Sequence, residues 1–244
     1  MKCYGLIGHP LGHSFSRNYF TQKFIKENIE SQYLEYDIED ISLIRKIVSE
    51  NEMLCGLNVT IPYKQAVMPY LDSIEEEALE IGAVNTIKIK DQKLIGYNTD
   101  SDGFMISLKQ VLQGNKPDKA LILGTGGASK AVAFVLKQCH INANFVSRDT
   151  QKGVFTYKDL EKDIIKSNTL IINTTPVGMF PNTDEYPEIP YQYITTNHVI
   201  IDLIYNPDET LFLKRCAKQG ARTQNGLLML HSQAEESWRI WNNA

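Results

Sequence analysis

Cysteine is scarce in this chain and never paired: Cys3, Cys55, Cys139 and Cys216 are the only four among 244 residues, and none sits in a Cys-x-x-Cys spacing. That scatter argues against a disulfide framework or a thiolate metal site. Three of the four fall inside apolar strand or helix patterns, so reduced, buried thiols are expected. Long apolar runs are missing too. No stretch could cross a bilayer, and the segment Met1 to Gly8 is too short for the apolar core of a signal peptide, so a cytoplasmic location away from membranes is expected. Nor is there an excess of one charge: a formal net charge of -4, spread over mixed acidic and basic residues, gives no basic stripe for nucleic acid. His9, His13, His140, His198 and His231 lack paired spacing with carboxylates or thiols. His9 and His13 are four apart, but Pro10 and Gly12 intervene and break any helical ligand pair, so both read as turn residues near a substrate entrance and no metal is expected.

What the chain does have is alternation. A composition that is 43% hydrophobic and 22% charged is enough for a sizeable core. Short apolar strands at Cys3 to Gly8, Tyr33 to Asp37 and Leu54 to Val59 alternate with helical stripes such as Phe20 with Phe24, and Ile41 with Ile44 and Val48. Ala83 to Lys90 and Lys93 to Tyr97 read as a hairpin turning at Asp91-Gln92. After the loop Gly114 to Asp118 a second series begins, with strands at Lys119 to Gly124, Asn142 to Ser147, Thr169 to Thr174 and Val199 to Leu203. The spacing predicts an α/β protein of two domains: an N-terminal α/β unit with a mostly parallel sheet, then an open, doubly wound, Rossmann-like unit. The last helix places Leu230, Ala234, Trp238 and Trp241 on one face and is expected to pack back on the first domain. The division expected is 1-99 plus 226-244, against 100-225.

Chemistry enters at a glycine turn. Leu121 to Ala128 runs from an apolar strand through Gly124, Gly126 and Gly127 into a helix. A turn of this kind lets the backbone approach a pyrophosphate while the helix offers unpaired N–H groups. Glycines also make ordinary tight turns, so the context matters: the next strand ends in Ser147-Arg148-Asp149, near the offset of about 20 residues at which such domains read the adenosine ribose. Arg148 suits a 2′-phosphate and favours NADP, whereas Asp149 suits a 2′-hydroxyl and NAD. In the first domain, Asn58 to Lys64 ends a strand with a proline stop and then presents a lysine able to move a proton. Asp100 supplies a candidate carboxylate, or else simply caps the helix it precedes.

Together these motifs resemble the shikimate dehydrogenase family, in order and over almost the whole chain. The matching pieces are Gly8-His9-Pro10 with Ser14-Phe15-Ser16, Asn58 to Lys64, Gly82 to Thr86 and Asn98-Thr99-Asp100. They continue with Gly124 to Ala128, Asn173 to Met179, Asp202 to Pro207 and Gln233. The resemblance implies reversible, NADP-dependent reduction of 3-dehydroshikimate to shikimate, a step of chorismate and aromatic amino acid biosynthesis. It implies Lys64 and Asp100 as the catalytic acid–base pair, with Lys64 the principal proton carrier. Ser14 and Ser16 would hold the substrate carboxylate, unless they cap the following helix. Thr60, Asn85, Asp100 and Gln233 would bind ring hydroxyls, with Tyr205 nearby. Gly124, Gly126, Gly127, Ala128, Ser147 and Arg148 would bind the cofactor, while Asn173, Thr174 and Gly226 line its nicotinamide side beside Met229. Asn173 and Thr174 read equally well as strand-end residues that satisfy turn backbone.

Two departures stand out. Where the family often has Asn-Arg-Thr, this chain has Ser147-Arg148-Asp149, which keeps only the arginine. The segment after it leaves no room for a crossover helix, so a loop and a shortened, edge-like third strand are expected, with Lys152 near the 2′-phosphate. The rival readings are an NAD-dependent quinate/shikimate dehydrogenase and a non-catalytic metabolite sensor. The latter would have no need of Lys64 and Asp100 together. A small-molecule substrate and a monomer or homodimer are expected.

Overall fold

The computed structural model describes residues 1–12, 15–149 and 151–243. It divides into two compact units, Met1–Thr99 with Ala234–Ala244, and Asp100–Gln233. No helix among the described residues is long and apolar enough to cross a membrane.

The first unit runs β1 (Lys2–Gly8), α1 (Phe15–Lys26), β2 (Ser31–Asp37), α2 (Ile44–Ser49), β3 (Leu54–Val59), α3 (Tyr63–Ala66), β4 (Ser73–Ile74), α4 (Glu76–Ile81), β5 (Thr86–Lys90) and β6 (Lys93–Tyr97). Its six-stranded sheet has the order β2-β1-β3-β5-β6-β4. The first three of these strands are parallel, and β5 turns antiparallel to both β3 and β6. The hairpin turns where expected: Asp91 and Gln92 both adopt positive φ, at 51° and 60°, as a tight two-residue loop needs. Strand β5 starts at Thr86 rather than Ala83: the Val84 N–H turns to the Lys64 carbonyl instead of a neighbouring strand, while Asn85 still bonds Tyr97.

The second unit opens with α5 (Asp100–Leu112), followed by β7 (Lys119–Leu123), α6 (Gly127–Gln138), β8 (Asn142–Val146), α7 (Lys162–Ser167), β9 (Leu170–Asn173), β10 (Val199–Asp202), α8 (Leu211–Lys218), β11 (Arg222–Gln224) and α9 (Leu227–Asn242). Five parallel strands form a sheet ordered β11-β10-β9-β7-β8. Every residue of β9 and β10 is buried, and each reads as an apolar run closed by one polar residue, Asn173 or Asp202, as strands covered on both faces do. The predicted third strand shrinks to a single bridge between Val146 and Phe155, followed by a 3-10 turn at Tyr157–Asp159. Too few residues separate it from β8 for a crossover helix.

Helix α9 belongs to both units. From Ala234 onward it counts with the first, and its residues through Gln233 count with the second. Within the second unit it packs closely against α5: a Cβ on Gly103 would lie 2.5 Å from the Met229 carbonyl. Its later part buries Ala234 and Trp241 among Tyr4, Phe20, Phe24 and Tyr33, with Trp238 packed alongside. Trp241 stacks on Tyr4 at 4.9 Å and donates its indole N–H to the Ile87 carbonyl at 3.0 Å. Gly56 is the space that ring needs, since a Cβ there would come within 2.3 Å of it. All four cysteines are free; Cys3 and Cys216 are buried, whereas Cys55 and Cys139 are only partly so.

Candidate active site

Strand register gathers the expected substrate residues of the first unit at one sheet edge. Gly8 pairs with Asp37, Ile7 with Val59, Asn58 with Thr86, and Thr86 with Tyr97. The loops after β1 and β3, the entry to β5 and the exit from β6 therefore lie side by side, at the edge where open α/β sheets bind ligands. Thr60 follows β3, and its N–H bonds the Ile7 carbonyl at 3.0 Å. Gly8 makes room for it, because a Cβ there would meet Thr60 Cγ2 at 2.5 Å. Lys64 stands in the one-turn helix α3, half-buried, and its carbonyl accepts the Val84 N–H at 2.7 Å, which fixes the lysine backbone beside the Gly82–Thr86 segment. Asn85 is buried; its Oδ1 accepts the Thr99 N–H at 2.7 Å and its Nδ2 donates to the Thr99 hydroxyl at 3.1 Å. Asp100 is the next residue, buried at the start of α5.

Beneath this edge lies a polar network that sequence reasoning missed. Tyr33 donates to Asn58 Oδ1 at 2.7 Å, and Asn58 Nδ2 donates to Ser237 Oγ on α9 at 3.0 Å. Ser237, Thr86 and Thr99 share hydroxyl contacts of 2.8 to 3.2 Å. Burial holds the Tyr33 phenol well above its ordinary pKa, against a lowering hydrogen bond from Ser16, so it stays protonated. Ser16, half-buried in the first turn of α1, is thereby tied to the same network. Ser14 and His13 lie outside the described residues. His9 is exposed and pairs with Asp37 at 2.7 Å, and this contact, with the Leu11 N–H, lowers the Asp37 carboxyl pKa.

In the second unit the carboxyl edge brings together Leu123, Val146, Asn173 and Asp202, again by register. The chain leaves the interior strand β7 for β8 on one side and returns to β9 on the other, so Gly124 sits where the strand order reverses. Gly124 holds φ +105°, and a Cβ there would strike Thr175 Cγ2 at 2.8 Å and Thr174 Oγ1 at 2.9 Å. Gly126, the N-cap of α6, faces open space, and the first turn of α6 carries no acidic residue. A pyrophosphate fits that arrangement: close backbone, unpaired N–H groups and no repelling charge.

Ser147 is buried and its hydroxyl accepts the Asp149 N–H at 3.1 Å. Arg148 and Lys152 are exposed. Asp149 turns back on its own loop, accepting the Gln151 N–H at 3.0 Å and lying 3.8 Å from Lys152 Nζ. Thr174 gives both its N–H and its hydroxyl to the Leu123 carbonyl. Asn173, expected on the nicotinamide side, has its side chain fully buried, with Nδ2 on Asp202 and Oδ1 accepting from Thr175. Gly226 is required by packing, since a Cβ would lie 2.0 Å from the Leu203 carbonyl. Tyr205 is half-buried; Gln233 is buried, with Nε2 on the Leu230 carbonyl, and packs against Gly103 near Met229. Among the described residues no group of three or more His, Cys, Asp or Glu is placed to hold a metal.

The model of the shikimate dehydrogenase substrate binding domain matches residues 6–87. A relative from Methanococcus maripaludis, shikimate dehydrogenase (NADP(+)), is 42% identical over 257 residues, which cover 98% of this chain and 91% of the relative. The chain belongs to the shikimate dehydrogenase family. A solved shikimate dehydrogenase in complex with NADP+ superimposes with a TM-score of 0.88 at 35% identity, covering all of this chain and 90% of the other. Quinate dehydrogenase from Corynebacterium glutamicum in complex with NAD gives 0.89 at 26% identity, over 99% of this chain and 93% of that one. The shikimate dehydrogenase fold therefore does not by itself choose the ring acid or the cofactor, and those follow from side chains.

Proposed function

We propose that this chain catalyses the reversible, NADP-dependent reduction of 3-dehydroshikimate to shikimate, supplying chorismate and aromatic amino acid biosynthesis. The observation that carries the reading is a hydrogen-bonded frame at the edge of the first sheet. Val84 pins the Lys64 backbone and Asn85 pins Thr99, so the lysine, the amide and the residue preceding Asp100 are fixed by the same short segment. A polyhydroxylated ring acid calls for such convergent donors and acceptors.

Bound NADPH would supply the hydride. Lys64 Nζ gives a proton to the ring carbonyl oxygen as that oxygen gains charge, and takes it back when the reaction runs the other way. Asp100 is the acid–base partner that balances the ammonium. Ser14 and Ser16 hold the substrate carboxylate; Thr60, Asn85 and Gln233 take ring hydroxyls, with Tyr205 beside them. Residues 1-99 with 226-244 form the substrate-binding and catalytic domain, and 100-225 the dinucleotide-binding domain. On the cofactor side, Gly124 to Ala128 cradle the pyrophosphate, while Ser147, Arg148 and Lys152 meet the ribose phosphate. Lys152 beside Asp149 offsets the carboxylate that would repel that phosphate. Asn173, Thr174 and Gly226 form the nicotinamide side. The enzyme works in the cytoplasm as a monomer or homodimer.

The decisive assay crosses shikimate and quinate with NADP+ and NAD+. Shikimate with NADP+ is expected to be the best pair; turnover of quinate with NAD+ at equal or greater efficiency would instead make this an NAD-dependent quinate/shikimate dehydrogenase.

A further inference from the structure

Asp202, the last residue of β10, is wholly buried, and the chemistry above gives it no part. Its Oδ1 accepts from Asn173 Nδ2 at 3.0 Å and from the Ile204 N–H at 3.1 Å; its Oδ2 accepts from the Thr210 hydroxyl at 2.6 Å. The three donors come from different segments: the end of β9, the turn leading to Tyr205, and the N-cap of α8. Each segment passes the constraint on. Asn173 Oδ1 accepts both the N–H and the hydroxyl of Thr175, which sets the turn lying against Gly124. The Ile204 carbonyl accepts the Gly226 N–H at 3.0 Å.

An ionised carboxylate is costly to bury, and a neutral amide there would turn an NH2 group toward donors. Only an acceptor-only group takes all three donors at once. We propose that Asp202 is a positioning residue for the cofactor: as a carboxylate it locks the Thr174–Thr175 turn, the Tyr205 turn and Gly226 into one arrangement, so that NADP+ affinity depends on its ionisation. The inference rests on the Gly124 turn being the dinucleotide site.

Burial pushes the Asp202 carboxyl up to about 6, against the lowering hydrogen bonds from Thr210, Ile204 and Asn173. Its titratable neighbours are otherwise silent near that pH. Burial raises Cys216 on α8 to about 12 and raises the Tyr191 and Tyr205 phenols, so all three stay neutral. Arg215 lies 3.7 Å over the Tyr186 ring, while Asp208 and Glu209 before α8 are exposed.

The test is NADP+ binding to the intact protein, by titration calorimetry from about pH 5 to 8, for wild type, Asp202→Asn and Thr210→Val. Wild-type affinity is expected to fall about tenfold as pH drops through about 6, and Asp202→Asn to bind about tenfold more weakly at neutral pH. The 2′-phosphate of NADP+ titrates in the same region, so the limb is assigned by its movement. Thr210→Val removes one bond that lowers the Asp202 pKa and should shift the limb to higher pH, which a phosphate limb would not do. Wild-type affinity for Asp202→Asn, or a limb unmoved in Thr210→Val, would overturn the proposal; should the asparagine variant fail to fold, Thr210→Val decides. Absence of NADP+ binding by the wild type at neutral pH would overturn the cofactor reading itself, and this inference with it.

Discussion

Side chains at the two sheet edges divide by what they already bond. Asn58, Thr86, Thr99 and Ser237 are buried and satisfy one another, so their first effect is on stability. Ser237→Ala strips a partner from three buried polar groups and is expected to cost about 1–3 kcal/mol, read by urea denaturation. Asp202 gives a pH signature of opposite sense to most acidic residues. Its folded value, about 6, lies above the ordinary 3.8, so stability present below about pH 4 is lost as pH rises through about 6. A shift of this size corresponds to about 3 kcal/mol, and Asp202→Asn should remove that part of the slope in denaturation run at acid and neutral pH. Arg148→Ala is expected to raise the Michaelis constant for NADPH at least about tenfold and to leave that for NADH nearly unchanged; equal effects would remove the argument for a 2′-phosphate contact. Residue identity made Lys64, Asp100 and Arg148 legible as candidates, because a motif exposes type and order. The partners of Asn58, Asn173 and Asp202 were not legible, because their bonds run between strands far apart in sequence.

Elements were readable where burial writes a pattern. The apolar runs that open β9 and β10 were visible for that reason, and the Asp91-Gln92 turn by its place between two strand patterns. The strand β11 reads Arg222-Thr223-Gln224, with no apolar alternation, and forms only by pairing beside β10. The one-turn helix α3 leaves no periodicity to read, yet it carries Lys64. Helix α9 announced itself by its apolar stripe, and Trp241→Ala should cost about 3–5 kcal/mol in thermal or chemical unfolding. At the cofactor edge, Gly226→Ala has no room beside the Leu203 carbonyl and is expected to weaken NADP+ binding more than shikimate binding, measured as separate Michaelis constants.

Over the whole molecule, alternation of strand and helix foretold an α/β chain of two units, and the ordered motifs foretold the family. The exact course of α9 was hidden, since one apolar stripe does not say which unit each turn packs on. The proposed chemistry turns on Lys64 as the group that moves the proton. The most direct test is steady-state reduction of NADP+ by shikimate, run side by side on wild type and Lys64→Ala. Brisk turnover by the wild type is expected, with kcat lowered at least about a hundredfold in the variant and the shikimate Michaelis constant little changed. Near-normal turnover by Lys64→Ala would contradict it.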